Sequence, residues 1–414
     1  MPSLPVLRLP SLAALACALS LGACATSTPP AVDIVIRGGT IYDGGETPAY
    51  PGDVAITGDR IAAIGPVDSV AVPQGATVID ASGKTIMPGL VDAHAHGPQG
   101  VGDLVPQQNW SLVQNLAMGT TTLHDPSSRA SMIFSAAERQ RAGTLLAPRI
   151  FSTAEIVYGA KAPSVYARID SYDDALAHIR RIKAQGGISI KNYNQPRREQ
   201  RQQVVAAARA ENMLVVAEGG SLFGMDMNLI ADGNSTIEHD VPGEVFYEDV
   251  LQFWEGSQSN YTPTLVVTYG GLAADPYWRQ PTDVFDNPLM VHTPPRQLIA
   301  ETARRVTAPE WAFVDDNSAR EAKKLAERGV KVSIGAHGQQ SGIAAHWELW
   351  SFVRGGMTPV QSLRAGTIES ARSLGMDRDI GSLEVGKLAD LVILTADPSA
   401  DIRNSDDIER VMLG

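Results

Sequence analysis

After Gly83 the chain settles into an alternation that few folds can accommodate: short apolar runs separated by amphipathic or Ala-rich stretches. Parallel strands need a crossover long enough to hold a helix, so this rhythm reads as successive βα units. Eight runs are expected as strands: 85–92, 120–125, 148–158, 188–193, 213–218, 235–239, 261–269 and 330–336. Residues 172–185, 197–210 and 315–328 have helical patterning between them. Eight such units in roughly 250–270 residues match a TIM (β/α)8 barrel, here expected over 85–375. One stretch breaks the rhythm. Gly270 to Glu310 is a long insertion bearing prolines and a tryptophan, and it reads as a loop or lid over the barrel mouth.

The flanks read differently. Residues 33–37, 39–42, 53–57, 60–65 and 77–80 are short strands punctuated by Gly-Gly, Pro-Gly and Gly-Asp, the pattern of a small β-sandwich over 32–84. Residues 380–394 return to that style as two short strands about a turn, so 376–414 is expected to complete the sandwich. The chain stops at Val411-Met-Leu-Gly414 on what reads as an unfinished strand, and a few residues are expected beyond it.

Residues 1–23 read as an export signal. Arg8 is the only charge before Asp33, and the apolar run 11–23 is too short to span a bilayer as a helix. Leu21-Gly22-Ala23-Cys24 resembles a bacterial lipobox, which makes Cys24 the lipid-modified first residue of an envelope protein tethered through 24–31. Signal-peptidase cleavage near Ala25, giving a secreted protein, is the alternative. Cys17 and Cys24 are the only cysteines, so the mature chain forms no internal disulfide and depends on its core, which 44% hydrophobic residues can supply. The net charge of −12 becomes −13 when the signal, with its single arginine, is removed: 33 basic residues against 46 acidic. That balance argues against a nucleic-acid partner, which would need a basic face.

In a barrel of this kind the working residues sit at the C-terminal ends of strands. The first strand runs into Val91-Asp92-Ala93-His94-Ala95-His96, whose histidines, two apart, point to one side of an extended chain. Two imidazoles at that spacing suit Zn²⁺ or a related divalent ion. Lys191 ends the fourth strand, Glu218 the fifth and His239 the sixth, with His337 just after the eighth. Four of the eight histidines in the chain fall at these positions.

These residues, with Asp33-Ile-Val-Ile-Arg-Gly-Gly-Thr40, Met87-Pro-Gly-Leu90, Ile237-Glu-His239, Gly356-Met-Thr-Pro359 and Gly381-Ser-Leu-Glu-Val-Gly-Lys-Leu-Ala-Asp-Leu391, resemble the metal-dependent amidohydrolase superfamily. The likeness extends to imidazolonepropionase-like and prolidase-like members. Around 192–203 and 338–350 the chain is similar to envelope amidohydrolase domains fused to β-propellers. The resemblance implies a distorted TIM barrel with a composite β-sandwich, and hydrolysis of amide-like C–N bonds by a metal-activated water. It makes His94, His96 and His239 metal ligands. It also places Lys191 where binuclear members carry a lysine carboxylated by CO₂, which bridges two ions that together acidify a water and polarise the scissile carbonyl. One or two ions per chain are expected, zinc first.

Two positions depart from the family pattern. Glu218 stands where the fifth strand usually supplies a histidine, and a carboxylate remains an acceptable ligand. His337 replaces the usual aspartate of the eighth strand, and is expected to serve as metal ligand or proton shuttle with a pKa near 6.5. Tyr158, Tyr193 and Tyr269 can each place a phenol near a substrate carbonyl or simply pack. His124 and Asp125 are candidates for orienting a ligand. Arg197 and Arg198 can grip a substrate carboxylate or sit solvated at a helix start, and His346 reads as structural.

The expected protein is therefore an exported, lipid-anchored hydrolase for a small peptide-like or N-acyl amino acid substrate. Two alternatives stand beside it: a cyclic-amide hydrolase or deaminase, and a non-catalytic envelope binding protein on the same scaffold. The insertion at 270–310 is the expected seat of specificity.

Overall fold

The structure, a computed structural model, describes residues 32–414 other than 98, 101–103, 162–166, 194, 221, 282–283, 295–296 and 298–304. The expected signal and tether, with Cys24, lie outside the described residues. No helix among those described is long and apolar enough to cross a membrane.

The flanks form one sheet of seven strands. Strands β1 (Ile34–Ile41), β2 (Tyr50–Thr57), β3 (Arg60–Pro66), β4 (Thr77–Asp80) and β5 (Thr85–Pro88) come from the N-terminal side. One edge of β1 takes β2; the other is shared in parallel by β4 and β5. The last strands of the chain, β14 (Leu391–Leu394) and β15 (Ile408–Met412), join antiparallel, with β14 on β5. The expected composite of the two chain ends is present, although hydrogen bonding makes it a single continuous sheet. Residues 380–390 form turns with one bridge, Arg60 to Leu388, in place of the extra strand expected there. Ile36, Ile41, Val54, Ile86, Leu391 and Ile393 build its buried core. Each such side chain contributes about 1.5–3 kcal/mol when removed from water.

The middle of the chain alternates parallel strands with helices. The strands are β6 (Leu90–Asp92), β7 (Thr120–Asp125), β8 (Arg149–Ser152), β9 (Val157–Tyr158), β10 (Ser189–Tyr193), β11 (Leu214–Glu218), β12 (Thr236–Glu238) and β13 (Asn260–Thr262). The helices are α1 (Trp110–Ala117), α2 (Ala130–Arg141), α3 (Tyr172–Gln185), α4 (Arg198–Ala210), α5 (Phe223–Ala231), α6 (Glu248–Ser257), α7 (Ala274–Arg279), α8 (Asp315–Glu327), α9 (Ile343–Arg354), α10 (Pro359–Ala365) and α11 (Ile368–Ser373). Strands β6, β7 and β8 form one parallel sheet and β9 to β13 another. Backbone bonds connect them: Ile188 N–H donates to Ser152, Tyr261 bridges to Val332, and Ala93 N–H donates to Ile334. Local signals agree with the elements. Ser171 and Asp174 cap α3 reciprocally, and Gly186 ends it at φ 108°, a left-handed turn that glycine adopts without Cβ strain.

Three expected strands are corrected. The run 85–92 is two strands in different sheets, broken at Pro88-Gly89. Proline cannot donate to a ladder, and a Cβ at Gly89 would meet the Thr121 side chain at 2.2 Å. The run 148–158 likewise splits, with Ala154 at φ 56° between β8 and β9, so β8 pairs with β7 and β9 with β10. The seventh strand stops at Thr262, because Thr264 turns the chain at φ 48° into a short 3-10 helix, Leu265–Val267. The eighth is extended chain held by single bridges.

The described part of the insertion packs against the body of the protein. Trp278 of α7 is buried with its ring 5.3 Å from that of Trp350, and its Nε1 donates to Ser351 at 2.9 Å. Gln114 of α1 donates to Leu289 O at 2.7 Å, and Asn287 to Asp406 at 2.9 Å. The apolar residues of the insertion thus pack it between α1, α9 and the C-terminal segment.

Candidate metal centre

The C-terminal ends of the parallel strands converge on a cavity of about 350 Å³ lined by His96, Ser127, Lys191, Tyr193, Glu218, His239, Val267, Tyr269, His337 and Gln339. His94, fully buried, lies directly behind His96. All six residues expected at a metal therefore meet in one place. The ring of His94 lies 4.8 Å from that of His96, 4.9 Å from His239 and 5.1 Å from His337. One potential donor atom from each of His94, His96 and His337 falls within 4.8 Å of the others.

The outward nitrogen of each ring is already engaged. His94 Nδ1 donates to Glu238 at 2.6 Å, His96 Nδ1 to Asp125 at 3.1 Å and His337 Nδ1 to Gln339 Oε1 at 2.7 Å, while His239 Nδ1 shares a 2.7 Å bond with the Thr264 hydroxyl. The Asp125 carboxylate and the Gln339 amide oxygen can only accept, and Glu238 accepts when ionised, so with Glu238 ionised these three rings carry their proton on Nδ1 and leave Nε2 as a lone pair. The Nε2 atoms of His94 and His96 face each other at 3.0 Å. Two lone pairs at that distance repel unless a cation lies against both, and two nitrogens each about 2.0–2.1 Å from one zinc ion can stand so. The donor set fits a divalent ion.

The electrostatics agree. Burial, then the nearby Lys191 charge, holds the His94 imidazole well below its ordinary value. Burial also lowers His239, against the pull of Glu218. His337 is pushed down to about 3 by burial and by His96 and His239. The buried His337 ring thus lies well below the pKa near 6.5 expected of it and stays neutral. Such neutral rings suit a metal, which requires deprotonated donors. Glu238 is pushed up to about 7 by burial, which outweighs the Lys191 charge.

Alternation along β10 puts Ser189, Lys191 and Tyr193 on one side. Lys191 is 1% exposed, and its Nζ lies 2.5 Å from Glu218 Oε2, while Glu218 Oε1 lies 3.2 Å from His239 Nε2. Burial opposes ionisation of Glu218, yet Lys191 and His239 together hold its carboxyl well below the usual range. The Lys191 amine has this close carboxylate but, among the described residues, no well-aligned hydrogen-bond acceptor.

Backbone conformation is unusual at the same place. His239 has φ 69° and His337 φ 58°, left-handed values that cost non-glycine residues free energy and persist where the surroundings impose them. Asp92 accepts from His94 N at 3.2 Å and Ala336 N at 3.1 Å, tying the first strand end to the eighth.

Other candidates sort cleanly. Asp125 orients His96, whereas His124 bonds Ala93 O and Ser189 Oγ and is structural. Tyr193 and Tyr269 line the cavity; Tyr158 does not, standing behind Tyr193 with ring centroids 5.0 Å apart. Arg198 pairs with Asp232 at 2.6 Å and Arg197 with Glu199 at 2.8 Å, and neither lines the cavity. His346 bonds Ser405 and Met118 O, a structural role as expected. Described residues of the insertion are absent from the cavity wall. Glu238, Gln339 and Thr264 were missed as orienting groups; only the Glu238-His239 dipeptide offered a sequence signal.

The sequence pattern of the Amidohydrolase family matches residues 85–414. This chain belongs to that family. Adenine deaminase 3 of Rhizobium meliloti (strain 1021) is 24% identical over 384 residues, 89% of this chain and 55% of that protein. The 5-methylthioadenosine/S-adenosylhomocysteine deaminase of Syntrophobacter fumaroxidans is 25% identical over 373 residues, 83% of this chain and 80% of that one. The chain thus spans about half the length of the first relative. Among solved family folds, a Xaa-Pro dipeptidase with bound methionine superposes with TM-score 0.70 at 20% identity, covering 92% of this chain and 98% of that one. Phenylurea hydrolase B does so with TM-score 0.70 at 21% identity, covering 92% and 95%. These two likenesses are of fold.

Proposed function

We propose that this chain is a divalent-metal hydrolase that cleaves the amide C–N bond of a small peptide-like or N-acyl amino acid substrate. The observation that carries the reading is the set of histidines whose outward nitrogens are tied down, leaving inward lone pairs on one cavity. We read the parallel strands and their connecting bonds as a distorted, closed (β/α)8 barrel that presents this set at its mouth. His94, His96 and His337 would hold one zinc ion, with His239, Glu218 and a carboxylated Lys191 available to a second. Bound there, zinc supplies Lewis acidity to a carbonyl and lowers the pKa of water.

The chain's own groups do the rest. Carboxylation of Lys191 removes the positive charge that holds Glu218 down, which makes Glu218 a better proton acceptor. Tyr193, whose phenol is pushed up to about 12 by burial and then by Glu218, stays protonated and can donate to a substrate carbonyl. Tyr158 supports the Tyr193 ring, while Val267 and Tyr269 flank the substrate.

A deaminase of a ring C–N bond is the second reading, favoured by the two relatives matched over most of this chain. Metal content per chain, joined to a screen of dipeptides, N-acyl amino acids and aminopurines, tests both. Turnover of aminopurines alone would select the second reading. A chain that takes up no metal and turns over none of these would leave a binding protein.

We further propose that Cys24 carries a lipid anchor. Cys24→Ser should release the protein from the membrane fraction or stop its processing; an unmodified mature N-terminus beyond Cys24 in the wild type would exclude the anchor.

A further inference from the structure

Helix α9 buries a carboxyl group that the proposed chemistry leaves unused. Glu348 is fully buried in the run His346-Trp347-Glu348-Leu349-Trp350. A fully buried glutamate is rare unless it is paired, and burial pushes this carboxyl up to about 8 against the backbone amides that favour its ionised form. The partners here are backbone amides from two separate strand ends. Oε1 accepts from Val266 N at 2.8 Å, and Oε2 from Gly335 N at 3.3 Å.

Both amides lead to ligands. Val266 lies in the 3-10 turn that follows Thr264, the residue bonded to His239 Nδ1. Gly335 stands two residues before His337. The next amide, Ala336 N, goes to Asp92, and His337 N goes to His94 O at 2.8 Å. Gly338 N then closes a tight turn on Ala336 O at 2.6 Å around His337 itself. Four successive amides, Gly335 to Gly338, are thereby pinned, which holds His337 at φ 58°. The two strand ends also press together: a Cβ at Gly335 would lie 2.7 Å from Thr264 Cγ2 and 2.9 Å from His94 Cβ.

We propose that Glu348 is a positioning residue that sets the aim of His239 and His337 together, holding both strand ends from below so that their free nitrogens meet at the metal. The inference rests on the reading of His337 as a ligand. Glu348→Gln keeps the volume and one acceptor oxygen but turns an NH₂ toward an amide that needs an acceptor. Glu348→Asp keeps both acceptors on a shorter reach.

Zinc titration of the metal-free protein reads the effect without activity. Glu348→Gln should weaken zinc binding about 10–100-fold, the usual size for loss of a group that orients a ligand, and should alter the visible spectrum of the cobalt-substituted protein. Glu348→Asp should recover part of both. Zinc affinity within twofold of wild type and an unchanged cobalt spectrum, with only a lowered Tm, would overturn the inference. His337→Ala separates the two layers. If it binds zinc like the wild type, the ligand reading fails; if it loses zinc while Glu348→Gln does not, only the positioning role fails. Should the Glu348 variants not fold, hydrogen exchange on the wild type decides: zinc should slow segments 264–267 and 333–338 together, and a response in one alone contradicts a shared support.

Discussion

The composite sheet and the strand-end cluster each bury a charge, and they treat it in opposite ways. Asp53, fully buried in β2, accepts from Gly38 N and from Asp68 N, both at 2.8 Å, with Arg37 nearby at 3.8 Å. Each oxygen has its partner. Lys191, equally buried, has the Glu218 carboxylate beside it but no aligned acceptor, among rings whose lone pairs face one another. The first arrangement is complete as a piece of folded chain. The second brings several donor and acceptor groups to one cavity, with a single close carboxylate for the lysine in place of two straight backbone bonds.

The contrast breaks most visibly at the cluster. Lys191→Ala should lose metal and reduce turnover at least about a hundredfold, and short-chain carboxylic acids should restore part of both by standing in for the carbamate. Full activity in a metal-loaded Lys191→Ala protein would show that the lysine is only a neighbour. His337→Ala should likewise lower turnover at least about a hundredfold, with metal content falling in parallel; His337→Asp, the family's residue there, should retain part of each. Metal retained at full stoichiometry in His337→Ala would exclude it as a ligand.

On the other side, Asp53→Asn turns an NH₂ toward an amide and should cost about 1–3 kcal/mol of stability. Zinc affinity should not change. A shift in zinc binding would mean that the two regions are not separable in the way their hydrogen bonding suggests. The smallest expected effect is that of Tyr193→Phe, which removes one hydrogen bond worth about 0.5–1.5 kcal/mol. It should lower kcat with little change in KM, and an equal loss in a charged and a neutral substrate series would support contact with the carbonyl.

The positions of the cluster were legible because the ends of parallel strands advertise themselves: an apolar run stops, and a polar residue follows. His94, His96, Lys191, Glu218, His239 and His337 were all visible in this way. The groups that aim them were not. Gln339 and Thr264 look like ordinary loop residues, and Glu348 sits mid-helix among tryptophans, where periodicity shows a face but not which strand end it meets. Strand breaks were equally hidden. An apolar run such as 85–92 carries no sign that its halves belong to different sheets, since only the contact of Gly89 with Thr121 imposes the break. The insertion was ambiguous for a related reason, because Pro-rich spacing does not show whether its tryptophan faces a substrate or, as with Trp278, a helix.

That break at Gly89 has a consequence for how damage travels. Strand β5 is wedged between β1 and β14, elements from opposite ends of the sequence, and one residue later the same segment becomes the strand that carries His94 and His96. The sheet is therefore no detachable accessory. Trimming the chain before Leu391 would bare an edge of β5, and the loosening would reach β6, which leads into His94, through a linker a single glycine long. Inactivation by a C-terminal truncation or a bulky tag would then look like an active-site defect, although every residue of the centre remained in place.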